Sequence, residues 1–492
     1  MEVDTIPEPQ PLSATPLLSA SDITYDIVVH DTVTSGQLSS LRDLYKEAPG
    51  WLTFRGGPLR DADFGGRVKG TPSRIVKRWM FETENDQRPT KMGTWGGGTG
   101  WTSQPLYIEW PDSTAQRFAQ QRGGLLDSLP RQEIMVASLC SKVYFIDFNT
   151  GKASRTPLDT HNPVKGTMSL DPQLNGNLYV GQAVPRDVAI GRLAYNLFSH
   201  KETMFHNRDS HSWVNWQGND SSPLVVGGFL FFPSENGTIY KYYIDEDSLR
   251  LHTSLRWKTA RGGAAGMENS LCVYHNYGFI GNNHGDIMCF ELNTMKPIWH
   301  YDNHDDIDGT IVCEVEDSIP YLYCGCEVDQ QGNKGIAHFV KLNGLTGERV
   351  WDNETPCSKL NIGSKHFDGG FYGTPLLGKG NCLELIFDNV CQRENSKVAE
   401  FTAFSKKTGE VVYRVPLKSW AWSSPVAFYN ENDELFVFTG DTAGNAYLIE
   451  GKTGKVLFTE HMVSNFESSP VVVGNEFVVG SRGQEIYKFA VE

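Results

Sequence analysis

No stretch of this 492-residue chain is apolar for long enough to cross a membrane as a helix. The longest, around Pro223 to Phe232, is about half the ~20 residues required. Basic residues are in deficit, 44 Lys+Arg against 59 Asp+Glu, giving a formal net charge of −15. A surface of that sign repels phosphate backbones and excludes general nucleic-acid binding. The nine cysteines contain no Cys-x-x-Cys pair, which argues against a zinc ribbon or a c-type haem site. No two cysteines are adjacent; Cys324-Gly325-Cys326 is the nearest approach. Their irregular spacing reads as buried free thiols. Cys313 and Cys324, flanking a short turn, are the best-placed pair for a disulfide across a hairpin. A Gly-rich phosphate cradle and a nucleophile elbow are also missing; Gly96-Gly97-Gly98, between Trp95 and Trp101, reads as a loop hugging the first repeat. The opening residues lack the basic start and apolar segment of a signal peptide. Residues 1–22 are Pro/Ser-rich and read as a flexible leader, within a leader and linker over 1–50. That leader fits either the stalk of an envelope anchor upstream or the start of a cytosolic protein.

What is abundant is turn chemistry. The 49 Gly and 24 Pro, with 12% aromatics, favour many short strands over long helices. A unit recurs eight times, opening on a small-residue pair before an apolar strand. The openings are Ser103-Gln104, Gly166-Thr167, Ser221-Ser222, Asn269-Ser270, Gly309-Thr310, Gly373-Thr374, Ser423-Ser424 and Ser468-Ser469. The mean step is about 52 residues, near the length of a four-stranded propeller blade with loop insertions. Units close on a Thr-Gly turn, at Thr150-Gly151, Thr346-Gly347, Thr408-Gly409 and Thr453-Gly454, with Thr294-Met295 as a variant. Four residues beyond the Gly position stands an aromatic, Trp299, Trp351, Tyr413 or Phe458; Arg155 breaks the pattern in the first unit and Trp257 closes the third without the turn. The last unit ends after its third strand, while Arg74 to Phe81 reads as an orphan fourth strand with Trp79 in the closing place. Pairing the two closes a ring and removes an exposed edge. The expected fold is therefore all-β: an eight-bladed propeller over 51–492, of four-stranded antiparallel blades, closed by an N-terminal strand.

The Thr-Gly-x-x-x-Trp closings and the eight units resemble the quinoprotein-type propeller family, whose repeats are named after pyrroloquinoline quinone (PQQ). The resemblance covers about residues 70–492. It implies one of two functions, since the family includes quinone-dependent alcohol dehydrogenases and non-catalytic scaffolds of the BamB type. The dehydrogenases need a calcium ion, an Asp base, a Trp floor and a roof of adjacent cysteines. The roof is missing here. Trp213, Trp216, Trp420 and Trp422 are candidates for a floor, and equally for packing loops at one end of the channel.

The residues just before the openings should ring one mouth of the channel: Thr102, Lys165, Asp220, Glu268, Asp308, Tyr372, Trp422 and Glu467. Like charges at ~7 Å repel by about 2 kcal/mol at an effective dielectric near 20. Asp220, Glu268 and Asp308 therefore need compensation, by a hard cation such as Ca²⁺, by Lys165 or Arg261, by raised carboxyl pKa values or by water. A second acid-rich run, His300, Asp302, His304, Asp305, Asp306 and Asp308, reads as a solvated loop or as transition-metal ligands. Two functions follow. The first is a non-enzymatic binding or scaffold protein of the periplasm or cell envelope, monomeric, with protein partners on its face loops and no cofactor. The alternative is a diverged PQQ-dependent dehydrogenase with Ca²⁺ in the channel; a cytoplasmic location is the alternative to the envelope.

Overall fold

The computed structural model describes residues 23–245, 248–262, 265–362, 365–394 and 396–492. The leader at 1–22 lies outside them. Eight antiparallel sheets of four strands follow the eight sequence units, and each blade starts just after a predicted opening. Blade 8 takes its outermost strand from the other end of the chain. Ile75–Glu82 runs along Glu485–Val491, with Ile75 opposite Val491 and Glu82 opposite Glu485. The ring closes as the sequence predicts.

The opening motif has a physical reason. Its second residue donates its backbone N–H to the hydroxyl at the same position in the next blade. The chain of bonds runs Ser222 to Ser270 (2.8 Å), to Thr310 (2.9 Å), to Thr374 (3.2 Å), to Ser424 (2.9 Å) and to Ser469 (3.2 Å). Ser469 carries the belt on to blade 1 by donating to the Ser103 carbonyl at 2.8 Å. A small hydroxyl is needed because blades crowd at the axis, where an unpaired N–H would be costly.

The closing motif is a second, outer lock. Trp79, Trp299, Trp351 and Tyr413 each sit beside a bulge in their ladder, which aims the ring at the Thr-Gly turn of the following blade. Trp299 Nε1 donates to the Gly344 carbonyl, Trp351 Nε1 to that of Lys406 and Trp79 Nε1 to that of Phe148, all at 2.9 Å. Gly347 is needed twice over: its φ is +75°, and a Cβ there would lie 2.8 Å from the Trp299 ring. Trp257, Trp299 and Trp351 are buried between blades; Trp257 donates to the Met267 sulfur instead of a turn. Arg155, which interrupts the aromatic series, is itself fully buried. Its guanidinium forks onto Glu133 at 3.0 and 2.9 Å and lies over the Phe118 ring at 4.1 Å.

The channel is not open. Residues 50–68 enter it and bond to inner strands around the ring. Gly50 and Trp51 pair with Ile108 and Tyr107 of blade 1. The carbonyls of Leu52, Pro58 and Leu59 accept from Leu170, Val273 and Cys313 of blades 2, 4 and 5, and Arg67 donates to Gly474 of blade 8. Arg55 and Arg60, both fully buried, act as spokes. Arg55 donates to the Pro425 and Pro375 carbonyls at 2.9 and 3.0 Å, and Arg60 to that of Leu271 at 2.8 Å. Before this plug, Ile23–Val29 adds a fifth strand to the edge of blade 3, along Ser248–Thr259.

All nine cysteines are buried free thiols. The Cys313–Cys324 disulfide is not formed, because the hairpin register puts Cys313 opposite Leu322.

Candidate functional site

The inner strands start in register, so the residues before the openings do converge on one channel mouth. Lys165 is the hub. Its ammonium pairs with Asp220, lies 2.9 Å from Glu268 Oε2 and sits 4.4 Å above the Trp101 ring. Trp101, Tyr372 and Trp422 form a mutually packed aromatic group, with centroids 5.4, 5.4 and 5.6 Å apart. Together with Thr102, Glu268, Asp308 and Phe54 from the plug they line a cavity of about 20 Å³, room for about one water molecule.

Two acids enter from elsewhere. Glu327 comes from a short strand, Glu327–Val328, that leaves blade 5 between its second and third strands and pairs with Gly369 and Gly370 beside blade 6; its carboxyl lies next to that of Asp308. Glu235, in the blade 3 hairpin, accepts from Trp216 Nε1 at 2.7 Å. Burial, then the neighbouring Glu268, pushes the Asp308 carboxyl up to about 8. Burial raises Asp220 to about 6 against the pull of Lys165. Glu235, Asp306 and Glu327 are driven well above the usual range, by burial first and by each other's neighbouring acids second. Burial opposes the Lys165 charge, yet Asp220, Glu268 and Asp308 hold its ammonium well above the ordinary lysine value.

The sign for stability follows. A carboxyl raised in the folded state keeps a proton that the unfolded chain releases near pH 4. Stability therefore falls as pH climbs from about 4 to about 8. Between pH 5 and 6.5 the buried neutral histidines, His206 above all, oppose this trend, so the melting temperature is expected to drop from about pH 6.5 to pH 8, and Asp308→Asn to flatten part of that drop. An unchanged slope in the variant would remove Asp308 from the account.

The other predicted site residues scatter. Arg261 pairs with Asp302 and takes no part in the ring. Glu467 keeps its place at the mouth, within the field of Lys165, but is paired with Arg482 at 3.6 Å. The acid-rich run after blade 4 is split up: His300 bonds Asp286, and Asp305 accepts the backbone N–H groups of Asp329 and Gln330. Only Asp306 and Asp308 reach the mouth. Trp420 stacks on Phe367 at 4.4 Å and packs a loop, as one of its two readings holds; Trp213 lies under Arg256 and Lys258, away from the mouth.

A fused three-ring quinone does not fit this cavity, where the packed aromatics stand. A hard cation fits the donors better. Asp220 Oδ1, Asp308 Oδ1, Asp306 Oδ1 and Glu327 Oε1 are buried carboxylate oxygens without a hydrogen-bond partner, and oxygen donors of this kind suit Ca²⁺.

A family model described as outer membrane protein assembly factor BamB matches residues 396–492, the outer half of blade 6 with blades 7 and 8. No curated protein matches the chain in sequence. A europium-containing methanol dehydrogenase shares the fold at 13% identity and TM-score 0.61, covering 91% of this chain and 99% of that one. Quinohemoprotein alcohol dehydrogenase from Comamonas testosteroni gives 13%, 0.60, 90% and 80%. BamB from Moraxella catarrhalis gives 12%, 0.55, 85% and 100%. At such identities the likeness speaks for the fold alone. The chain is an eight-bladed β-propeller with PQQ-like repeats, similar to BamB in the sequence of its last blades and to BamB and quinoprotein dehydrogenases alike in its architecture.

Proposed function

We propose that this chain is a non-enzymatic binding propeller of the cell envelope. Its face loops dock protein partners, and its channel mouth takes a cation or cationic group between Asp220, Glu268 and Asp308. The observation that carries the reading is the filled axis. The plug at 50–68 occupies the channel, and Trp101, Tyr372 and Trp422 leave a cavity of only about 20 Å³ at the mouth. That volume suits a single ion or the tip of an ammonium group. The unpartnered oxygens of Asp220 and Asp308 face such a cation, whose binding displaces the proton that Asp308 otherwise keeps. The envelope assignment draws on the match to a model described as an outer membrane protein assembly factor.

Two measurements test it. After incubation with PQQ and Ca²⁺, the protein is expected to retain no quinone absorbance on desalting and to oxidise no primary alcohol with an artificial acceptor; turnover would overturn the non-enzymatic reading. Calorimetric titration with Ca²⁺ should release binding heat with the native chain and none with Asp220→Asn, Asp308→Asn. No heat from the native chain, and no Ca²⁺-dependent rise in its melting temperature, makes the acidic ring purely structural.

A further inference from the structure

A second cluster of ligating groups lies outside the channel, on the outer half of blade 5. His338 belongs to Lys334–Asn343, and Asp352 and Glu354 to the neighbouring strand Arg349–Ser358. The register sets His338 opposite Glu354, and Asp352 is two residues from Glu354. With a side-chain period of two, all three project from one face of the ladder. One ligand atom from each lies within 4.8 Å of the other two. We propose that His338, Asp352 and Glu354 bind a divalent transition-metal ion of the zinc class.

The geometry goes beyond an ordinary His–carboxylate pair. His338 Nδ1 is 3.1 Å from Asp352 Oδ1 and 3.0 Å from Oδ2, so the carboxylate straddles the ring nitrogen. In this state Nδ1–H donates to the carboxylate; with the ring proton on Nε2 instead, the Nδ1 lone pair and the Asp352 oxygens face one ion, and Glu354 brings a third oxygen. Donors held about 2 Å from zinc lie roughly 3–4 Å from one another, so only the exposed Glu354 side chain has to close in. Imidazole with two carboxylates is a borderline donor set that suits zinc better than calcium. His338 is fixed from behind, its backbone N–H donating to the Cys326 sulfur at 3.2 Å. His304 packs against its ring at a centroid distance of 4.2 Å and shields one flank. His304 has φ +74°, uncommon for a non-glycine residue, so the chain holds it there against local preference.

Three protein ligands leave a coordination position open on the side of Glu354, toward solvent. Without metal, Arg349 covers the charge, its guanidinium 3.2 Å from Asp352 Oδ2. The Arg349 side chain is half exposed while that of Asp352 is nearly buried, so the guanidinium can swing out to solvent and leave the carboxylate to a divalent ion.

The test is calorimetric titration of the full chain, stripped with chelator, with Zn²⁺ near neutral pH. One zinc per chain is expected. Glu354→Gln changes an exposed side chain and should keep the native melting temperature while weakening binding at least about tenfold. His338→Ala should abolish binding. The Asp220→Asn, Asp308→Asn chain should bind zinc normally, so this site and the channel mouth succeed or fail separately. Cobalt in place of zinc should give a visible d–d band that disappears with His338→Ala. The proposal is overturned if the native chain releases no zinc-binding heat, or if Glu354→Gln binds as tightly as native. Loss of binding on His161→Ala, which removes the exposed His161–Glu202 pair, would equally overturn it.

Discussion

Replacing Trp299 by alanine should cost roughly 3–5 kcal/mol, the range for a large aromatic lost from a packed site. The ring is fully buried, donates to the Gly344 carbonyl, and is clasped by Gly347 of the next blade. Its removal leaves a void at a blade junction and strands a carbonyl. Thermal melts followed by circular dichroism should show the loss as one large downward shift. Trp299→Phe keeps most of the packing and forfeits only the hydrogen bond, about 1 kcal/mol. If alanine is no worse than phenylalanine, the ring is not the clamp between blades 4 and 5 that the geometry makes it.

Arg155→Met should cost a similar amount, roughly 3–5 kcal/mol, for a different reason. Both side chains of the Arg155–Glu133 pair are 0% exposed, so the substitution leaves a buried carboxylate with no counter-charge. Only Trp110 Nε1, at 2.9 Å, and the Ser154 hydroxyl, at 2.5 Å, would still donate to it. The double change Arg155→Met, Glu133→Leu removes both charges and should recover most of the stability. A double variant as unstable as the single one would mean that packing around the Arg155 stem, and not charge, carries the effect.

These two residues mark what could be read from the sequence. Trp299 stands in a repeated pattern, and repetition is what makes a position legible: eight openings, the Thr-Gly turns and the orphan strand at Arg74 to Phe81 gave the blade number and the closure. Arg155 showed up as an exception, but the exception did not name its partner, since Glu133 belongs to a different strand and no spacing rule links them. The channel mouth was half legible for the same reason. Lys165, Asp220, Glu268 and Asp308 precede repeated openings and therefore share a ring. Glu235 and Glu327 reach it from a hairpin and from an excursion between blades, and Trp101 lies just outside the repeat. The plug left no trace in the pattern. It has no regular period, and nothing in the Gly-rich stretch around Arg55 and Arg60 marks them as the fully buried spokes, bonded to carbonyls, that they are.

The closure also fixes an order of events during synthesis. Ile75–Glu82 is made early, but its partner Glu485–Val491 comes some 400 residues later. At roughly 5–20 residues per second the ribosome needs about 20–80 s to deliver it. Throughout that time the first-made strand waits as an unpaired edge, and the plug waits without the later blades it will bond to. Ring closure is then a contact of very high sequence separation and belongs among the slow steps of folding. A nascent chain of this design stays exposed to aggregation until its last blade emerges, and its demand for chaperones should peak at that point.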